Sequence, residues 1–216
     1  MQSYDIKSTF LLDINDENIN QKNLEKKEKN DCQLFKYERN INIENIEEIN
    51  ECRGIVTKNK EFLCLPPSKN LETQDFFNKY NLQNCQQEEF IDGTMVNIYW
   101  NDGKINYSTR SQIDADDKNY GILNRSFKEM FVEVYNNYDF SLEKNLPKNF
   151  CLSCVLCHQD NPIVKKHLEN KIYLVEAKEI LNTKYNLIDI HKSDLLIKFT
   201  KFFSKLKISF STLFEL

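Results

Sequence analysis

The chain has 216 residues, 40% of them hydrophobic, with only 4 glycines and 4 prolines. This composition suits one large domain, or one domain with a small appendage, and it excludes collagen-like and proline-rich linker proteins. The formal net charge is −4. A nucleic-acid partner would therefore have to meet a local basic patch rather than a generally basic surface.

The N-terminus carries no basic region followed by a long apolar run, and no stretch approaches the roughly 20 apolar residues that a membrane span requires. We therefore expect no signal peptide, no membrane span and a cytoplasmic location. The 7 cysteines are then expected to be reduced thiols.

The first part of the chain is polar and rich in Asn, Lys and Glu. It predicts a partly mobile N-terminal extension over residues 1–50, in which residues 20–31 form either an exposed helix or a disordered insert. The pattern then changes to strands at 54–56 and 62–65, the second of which is stopped by two prolines.

A hairpin is the clearest local signal. Residues 95–100 and 104–109 are rich in strand-forming side chains, and an Asp-Gly pair lies in the turn between them. Helices are predicted at 71–80 and 120–138, further strands at 150–156 and 171–175, and an amphipathic helix over 191–216. Five apolar residues share one face of the 120–138 helix, namely Ile122, Phe127, Met130, Phe131 and Val134.

The residues that lead into this hairpin are Phe90-Ile91-Asp92-Gly93-Thr94. They resemble the Lys-x-Asp-Gly-Ser/Thr motif of phage-type, ATP-dependent RNA ligases, in which the lysine attacks ATP and holds AMP as a phosphoramidate. The resemblance places Phe90 at the lysine position and Gly93 at a tight backbone turn beside the nucleotide. A shift in register of one or two residues supplies no amine either.

Other stretches follow the same family order over about residues 51–176. Arg53-Gly54-Ile55 resembles the arginine–glycine–strand segment ahead of the nucleophile, and residues 76–78 resemble its Phe-Phe-Asn. Residues 107–111, which include Arg110, resemble the basic segment after it. Residues 158–164 resemble the family's Pro-x-Asn-Arg-Ile-Val element.

The resemblance implies an α+β fold, a mainly antiparallel sheet of the nucleotidyltransferase type with flanking helices, in a core over residues 51–190. It also implies ATP and Mg²⁺ as cofactors if activity is retained, and RNA ends as a partner. Arg53 and Arg110 are candidates for phosphate contacts, and Asp92 for orienting a ribose or a metal. The alternatives for these three residues are surface ion pairs or a carboxylate that stabilises a turn.

Three departures from the family predict a degenerate and C-terminally truncated relative, of a kind that a virus could encode. Phe90 has no nucleophilic atom, and adenylyl transfer needs an amine, a divalent metal and cations around the triphosphate. The central strand at 154–157 carries no acid, and no Glu-Gly pair follows residue 175. Lys205-Leu206-Lys207 only superficially matches the paired lysines of the family's last strand.

Two alternatives remain open. The protein could be an active RNA ligase that uses a lysine outside the usual motif. It could also be a cysteine-ligated metal module, because Cys151, Cys154 and Cys157 are spaced by two residues and His158 follows. On a strand, however, Cys154 faces away from the other two cysteines, so buried thiols are the favoured interpretation.

Overall fold

The computed structural model describes residues 6–11, 24–37, 51–81, 85, 87–120, 124–164, 166–182, 184–191, 193, 204–205 and 208–209. In this part of the chain the strands are β1 (Ile6–Leu11), β2 (Leu24–Lys29), β3 (Cys32–Tyr37), β4 (Arg53–Lys58), β5 (Glu61–Cys64), β6 (Gln87–Glu88), β7 (Thr94–Asn101), β8 (Lys104–Ser108), β9 (Asn119–Tyr120), β10 (Arg125–Ser126), β11 (Phe150–Cys157), β12 (Lys171–Leu181), β13 (Lys184–Ile188), β14 (Ser204–Lys205) and β15 (Ile208–Ser209). The helices are α1 (Thr73–Lys79), α2 (Phe127–Tyr135) and α3 (Leu142–Asn145).

Two sheets organise the molecule. The larger sheet has the order β1-β13-β12-β11-β7-β8, with β14 added beside β12, and the smaller has the order β2-β3-β4-β5. The β12–β14 pair is parallel, and the other pairs of the described strands are antiparallel. The expected α+β fold with mainly antiparallel sheets is confirmed.

Strand β11 lies at the centre and is buried at every position. One face packs into the main core with helix α2, where Leu152, Cys154 and Phe131 belong to one cluster. On the other face, Cys151 packs with Leu34 and Val56 of the smaller sheet. Because both faces are covered, this strand is apolar except for Ser153, which donates a hydrogen bond to Asn97, instead of alternating between apolar and polar residues.

Helix α2 begins at a complete capping box. The Ser126 hydroxyl accepts a hydrogen bond from the Glu129 backbone N–H, and the Glu129 carboxylate accepts one from the Ser126 N–H. This cap starts the helix at residue 127 rather than 120, where a short strand lies instead. The predicted apolar face is confirmed at its four described members, Phe127, Met130, Phe131 and Val134, and Ile122 lies outside the described residues.

Several local predictions are confirmed. Strands β4 and β5, helix α1 and the hairpin β7–β8 lie where the sequence pattern places them. In the hairpin turn, Asp102 and Gly103 both adopt positive φ, which is the backbone that an Asp-Gly pair favours. Strands β11 and β12 are also confirmed, and β12 continues to Leu181.

The expectation for residues 20–31 is wrong at residues 24–31, the part of this range that the structure describes. Strands β2 and β3 form a hairpin over the positive-φ pair Asn30 and Asp31, and β3 pairs with β4. Strand β3 is buried and therefore belongs to the core of the smaller sheet. The polar strand β2 gains stability from this pairing and from ion pairs such as Lys36–Glu25, which composition alone does not indicate.

Residue 51 is therefore not the start of the folded core, since β1 also pairs with β13. At the other end, a continuous helix over 191–216 is wrong at residues 204–205 and 208–209. These residues form β14 on β12 and β15 on β6. Pairing with strands distant in sequence overrides the local amphipathic pattern there. Much of residues 1–50 and 191–216 lies outside the described residues.

None of the helices in the described ranges is long and apolar enough to cross a membrane.

Candidate functional site

A cavity of about 310 Å³ opens at one end of the central strands, beside Phe90. We call it the Phe90 cavity. Its walls come from the segment before β7, the end of β11, the loop between β11 and β12, and the start of β12. The lining residues are Glu89, Phe90, Ile91, Asp92, Cys157, His167, Leu168, Glu169, Lys171 and Tyr173.

Asp92 and Gly93 hold the entrance to β7 against β11. The Asp92 carboxylate accepts a hydrogen bond from the Val164 N–H at 3.1 Å, and its carbonyl accepts one from the Cys157 thiol at 3.3 Å. A Cβ on Gly93 would lie 2.6 Å from the Leu156 carbonyl oxygen. Glycine is therefore needed for this close approach of two strands, whereas the sequence suggested a tight turn.

Phe90 itself projects into solvent at the mouth of the cavity. Its side chain is 88% exposed. Leu168, which also lines the cavity, is 90% exposed, and Val164, in the loop after β11, is 88% exposed. An aromatic ring exposed to this extent can stack on a planar apolar ligand such as a nucleobase. It offers no atom that could form a bond to phosphorus.

Two other groups in the cavity could in principle act as nucleophiles, but both are held in their protonated forms. A hydrogen bond from Lys171 to the Glu169 carboxylate raises the pKa of the Lys171 ammonium above its ordinary value. Burial raises the pKa of the Cys157 thiol to about 11, with the nearby Asp92 acting in the same direction. At neutral pH neither a free amine nor a thiolate is abundant here.

His167 supplies a polar group that is ready for a ligand. Its Nε2 atom is buried and makes no hydrogen bond within the described part of the chain. A buried polar atom without a partner costs free energy, so a ligand that bonds to it would recover that cost. His167 is one of the residues that line the Phe90 cavity.

The charges around the Phe90 cavity oppose a free triphosphate. Three lining carboxylates, Glu89, Asp92 and Glu169, face the single lining ammonium of Lys171. Among the described residues, no group of three or more His, Cys, Asp or Glu side chains could hold a metal ion. The lining thus favours an uncharged base or nucleoside over a free triphosphate.

Arg53 and Arg110 form a separate pair. A Cβ on Gly54 would lie 2.8 Å from the Arg110 Cα, so the two segments cross closely. Arg53 donates a hydrogen bond to the Ser68 carbonyl at 3.1 Å, and the Arg110 guanidinium lies 4.7 Å from the centre of the Tyr37 ring. Neither arginine lines the Phe90 cavity. Of the five predicted nucleotide-binding residues, the structure brings together only Phe90, Asp92 and the adjacent Gly93.

The three spaced cysteines lie on the buried strand β11, as the strand interpretation predicted. Cys154 packs in the main core, whereas Cys151 packs between the sheets, where its sulfur lies 3.4 Å from that of Cys64. Cys157 points toward Asp92. The three side chains therefore have different surroundings and do not converge.

Sequence reasoning missed His167, Glu169, Lys171 and Tyr173 as cavity residues. They belong to the loop after β11 and the start of β12, and they reach the site because β12 runs antiparallel beside β11, pairing Cys157 with Lys171. The family-like element at 158–164 pointed toward this loop. No spacing rule indicated which side chains after it would face the cavity.

This architecture is similar to that of a solved structure. The fold matches a structure from Aquifex aeolicus provisionally named an ATP-dependent DNA ligase, with a TM-score of 0.55 and 9% sequence identity. The protein has a ligase-like α+β fold. The match covers 89% of this chain and 48% of the other, so this chain spans about half the length of that protein. No family model and no curated protein sequence matches the chain. At this identity the likeness establishes the fold alone.

Proposed function

We propose that this protein is a nucleotidyltransferase-like domain of the RNA ligase kind that binds a nucleotide without becoming adenylylated. One observation carries the proposal. On a ligase-like fold, the Asp92-Gly93 segment borders a cavity, and the residue two positions earlier presents an exposed aromatic ring where an amine would be needed.

The proposed ligand contacts follow from the lining. Phe90 stacks on the base, the buried Nε2 of His167 exchanges a hydrogen bond with a ring nitrogen or exocyclic group, and the apolar rim shields the base from water. The phosphates extend away from the carboxylates, toward solvent. ATP and Mg²⁺ remain proposals for this chain, as do RNA ends, and no phosphoryl transfer is assigned to the cavity.

Filter binding with ATP labelled at the α-phosphate, in the presence of magnesium, tests both halves of this proposal. Label should be retained on filters under native conditions and lost when the protein is denatured in SDS at neutral pH, because the complex is not covalent. Native retention should fall in Phe90→Ala. The proposal fails if label survives this denaturation, or if no label is retained under native conditions.

Phe90→Lys should not restore covalent label by itself. The carboxylates of Glu89, Asp92 and Glu169 would favour the charged form of the new lysine, and the lining offers no preformed metal site among the described residues. Label that survives SDS denaturation at neutral pH in this variant would show that the remaining machinery is intact.

A second candidate function is an active ligase that uses another lysine, and the presence of Lys171 in the same cavity favours it. In that case the wild type would keep label through SDS denaturation at neutral pH, and Lys171→Gln would abolish it. Lys166→Gln is the matched control, because Lys166 is exposed on the neighbouring loop and does not line the cavity. Equal label in both variants would exclude Lys171 as the nucleophile.

A further inference from the structure

A second cavity, of about 320 Å³, lies at the other end of the central strands. We call it the Trp100 cavity. It is lined by the tips of the β4–β5 and β12–β13 turns, the segment before β11 and one tryptophan, with the lining residues Lys60, Glu61, Phe62, Leu63, Trp100, Lys148, Asn149, Ile180 and Asn182.

The two cavities are separate sites. Asn149, just before β11, lines the Trp100 cavity, and Cys157, the last residue of β11, lines the Phe90 cavity. A strand advances about 3.3 Å per residue, so the two positions are roughly 25 Å apart. One mononucleotide cannot occupy both.

Trp100 is fixed in a position that suits stacking. Its indole N–H donates a hydrogen bond to the Leu146 carbonyl at 3.0 Å, and its ring packs against the main core while remaining partly exposed at the cavity. The hydrogen bond and the packing hold the ring in one orientation at the cavity wall. Phe62, in the same lining, adds a second aromatic surface.

The charge of the Trp100 cavity favours an anion. The side chains of Lys60 and Lys148 contribute two ammonium groups against the single carboxylate of Glu61, and both lysines are exposed. On a chain with a net charge of −4, this is a local basic patch next to an aromatic ring. Aromatic stacking combined with lysines that follow a phosphate backbone is how proteins bind single-stranded nucleic acid.

We infer that the Trp100 cavity binds a nucleotide unit of a single nucleic-acid strand, with the base on Trp100 and the phosphate between Lys60 and Lys148. This site is independent of the Phe90 cavity and of any nucleotide bound there. A free nucleotide has the same chemistry of base plus phosphate, so the test must distinguish the two sources.

The chain has one tryptophan, so its fluorescence reports on this cavity alone. A single-stranded oligonucleotide of about ten residues should quench the Trp100 fluorescence saturably. The fluorescence anisotropy of a dye-labelled oligonucleotide should rise over the same concentration range. A mononucleotide should quench only at much higher concentration. Quenching by a mononucleotide with the same affinity would overturn assignment to a strand, and quenching by an oligoglutamate peptide instead would overturn assignment to nucleic acid.

Lysine variants locate the phosphate. Lys60→Gln and Lys148→Gln should each weaken oligonucleotide binding by about three- to tenfold, the effect of one lost charge-assisted contact. Lys118→Gln is the matched control, because Lys118 is exposed and lies outside the cavity. Equal affinity of all three variants, or an absence of oligonucleotide binding to the wild type, would overturn the inference.

Tryptophan variants separate stacking from a structural role. Trp100→Phe and Trp100→Leu both remove the hydrogen bond to Leu146, so both carry the same structural loss, but only Phe keeps an aromatic face. Anisotropy should show binding at least about fivefold weaker for Leu than for Phe, since base stacking is worth about 1–3 kcal/mol. Equal affinities for the two variants would contradict stacking on this ring.

Discussion

The two ends of strands β7 and β11 share a scaffold but differ in charge. Each end has a cavity of similar size with an aromatic side chain at its wall, Phe90 at one and Trp100 at the other. The Phe90 end is lined by three carboxylates and one ammonium, and the Trp100 end by two ammoniums and one carboxylate. The two ends of one scaffold therefore differ in the sign of the ligand charge that they favour.

The largest difference should appear in stability. Gly93→Ala places a methyl group 2.6 Å from the Leu156 carbonyl oxygen and should destabilise the protein by about 2–3 kcal/mol. Gly103→Ala, in the turn at the Trp100 end, meets nothing within 4 Å and should cost only about 1 kcal/mol, through its positive φ. Urea unfolding measures both losses of stability, provided that the dependence of the unfolding free energy on urea concentration is the same in each variant as in the wild type. Equal losses would show that the Phe90 end is less tightly packed than described.

The next effect concerns the Cys157 thiol at the Phe90 end. Its pKa is raised to about 11, so the thiolate forms about two pH units later than in a free thiol. Because the unfolded chain loses this proton first, the thiol's contribution to stability is lost as pH rises from about 9 to 11. Mass spectrometry of alkylated peptides should show the Cys157 alkylation rate still rising near pH 10, where glutathione levels off. A plateau near pH 9 would contradict the raised pKa.

Ligand binding at the two ends should also differ in its dependence on salt concentration, and this is the smallest of the three expected effects. Two phosphate contacts from lysines predict that oligonucleotide binding at the Trp100 end weakens about sevenfold between roughly 50 and 200 mM salt. Adenosine binding at the Phe90 end should not change, because an uncharged ligand displaces no counterions. Parallel titrations at the two concentrations measure this difference. Equal salt dependence would remove the distinction between the two ends.

The sequence predicted those parts of the fold in which local signals and tertiary contacts agree. The Asp102-Gly103 turn specifies its hairpin, and the apolar β11 predicts its own burial. Strand β2 was missed because its stability comes from pairing with β3, which a polar composition does not reveal. The predicted helix over 191–216 was wrong at β14 and β15 for a related reason. These short strands pair with β12 and β6, which lie far from them in sequence.

Only one wall of the candidate site could be predicted from the sequence. The motif at 90–93 borders the cavity, but Arg53 and Arg110 do not line it and lie on two segments that approach each other closely at Gly54. The opposite wall depends on the pairing of β11 with β12, which no short motif encodes. The position of Lys171 beside Phe90 could therefore be learned only from the structure.

Equilibrium titration with adenosine tests the central claim most directly, because this ligand has no phosphate and relies on the base-binding surface alone. We predict saturable binding to the wild type and at least about fivefold weaker binding to Phe90→Ala, the loss expected for one stacking contact. Tyr80→Ala, which removes another exposed aromatic side chain that does not line the cavity, should bind like the wild type. Undiminished binding to Phe90→Ala, or no binding to the wild type, would contradict the claim.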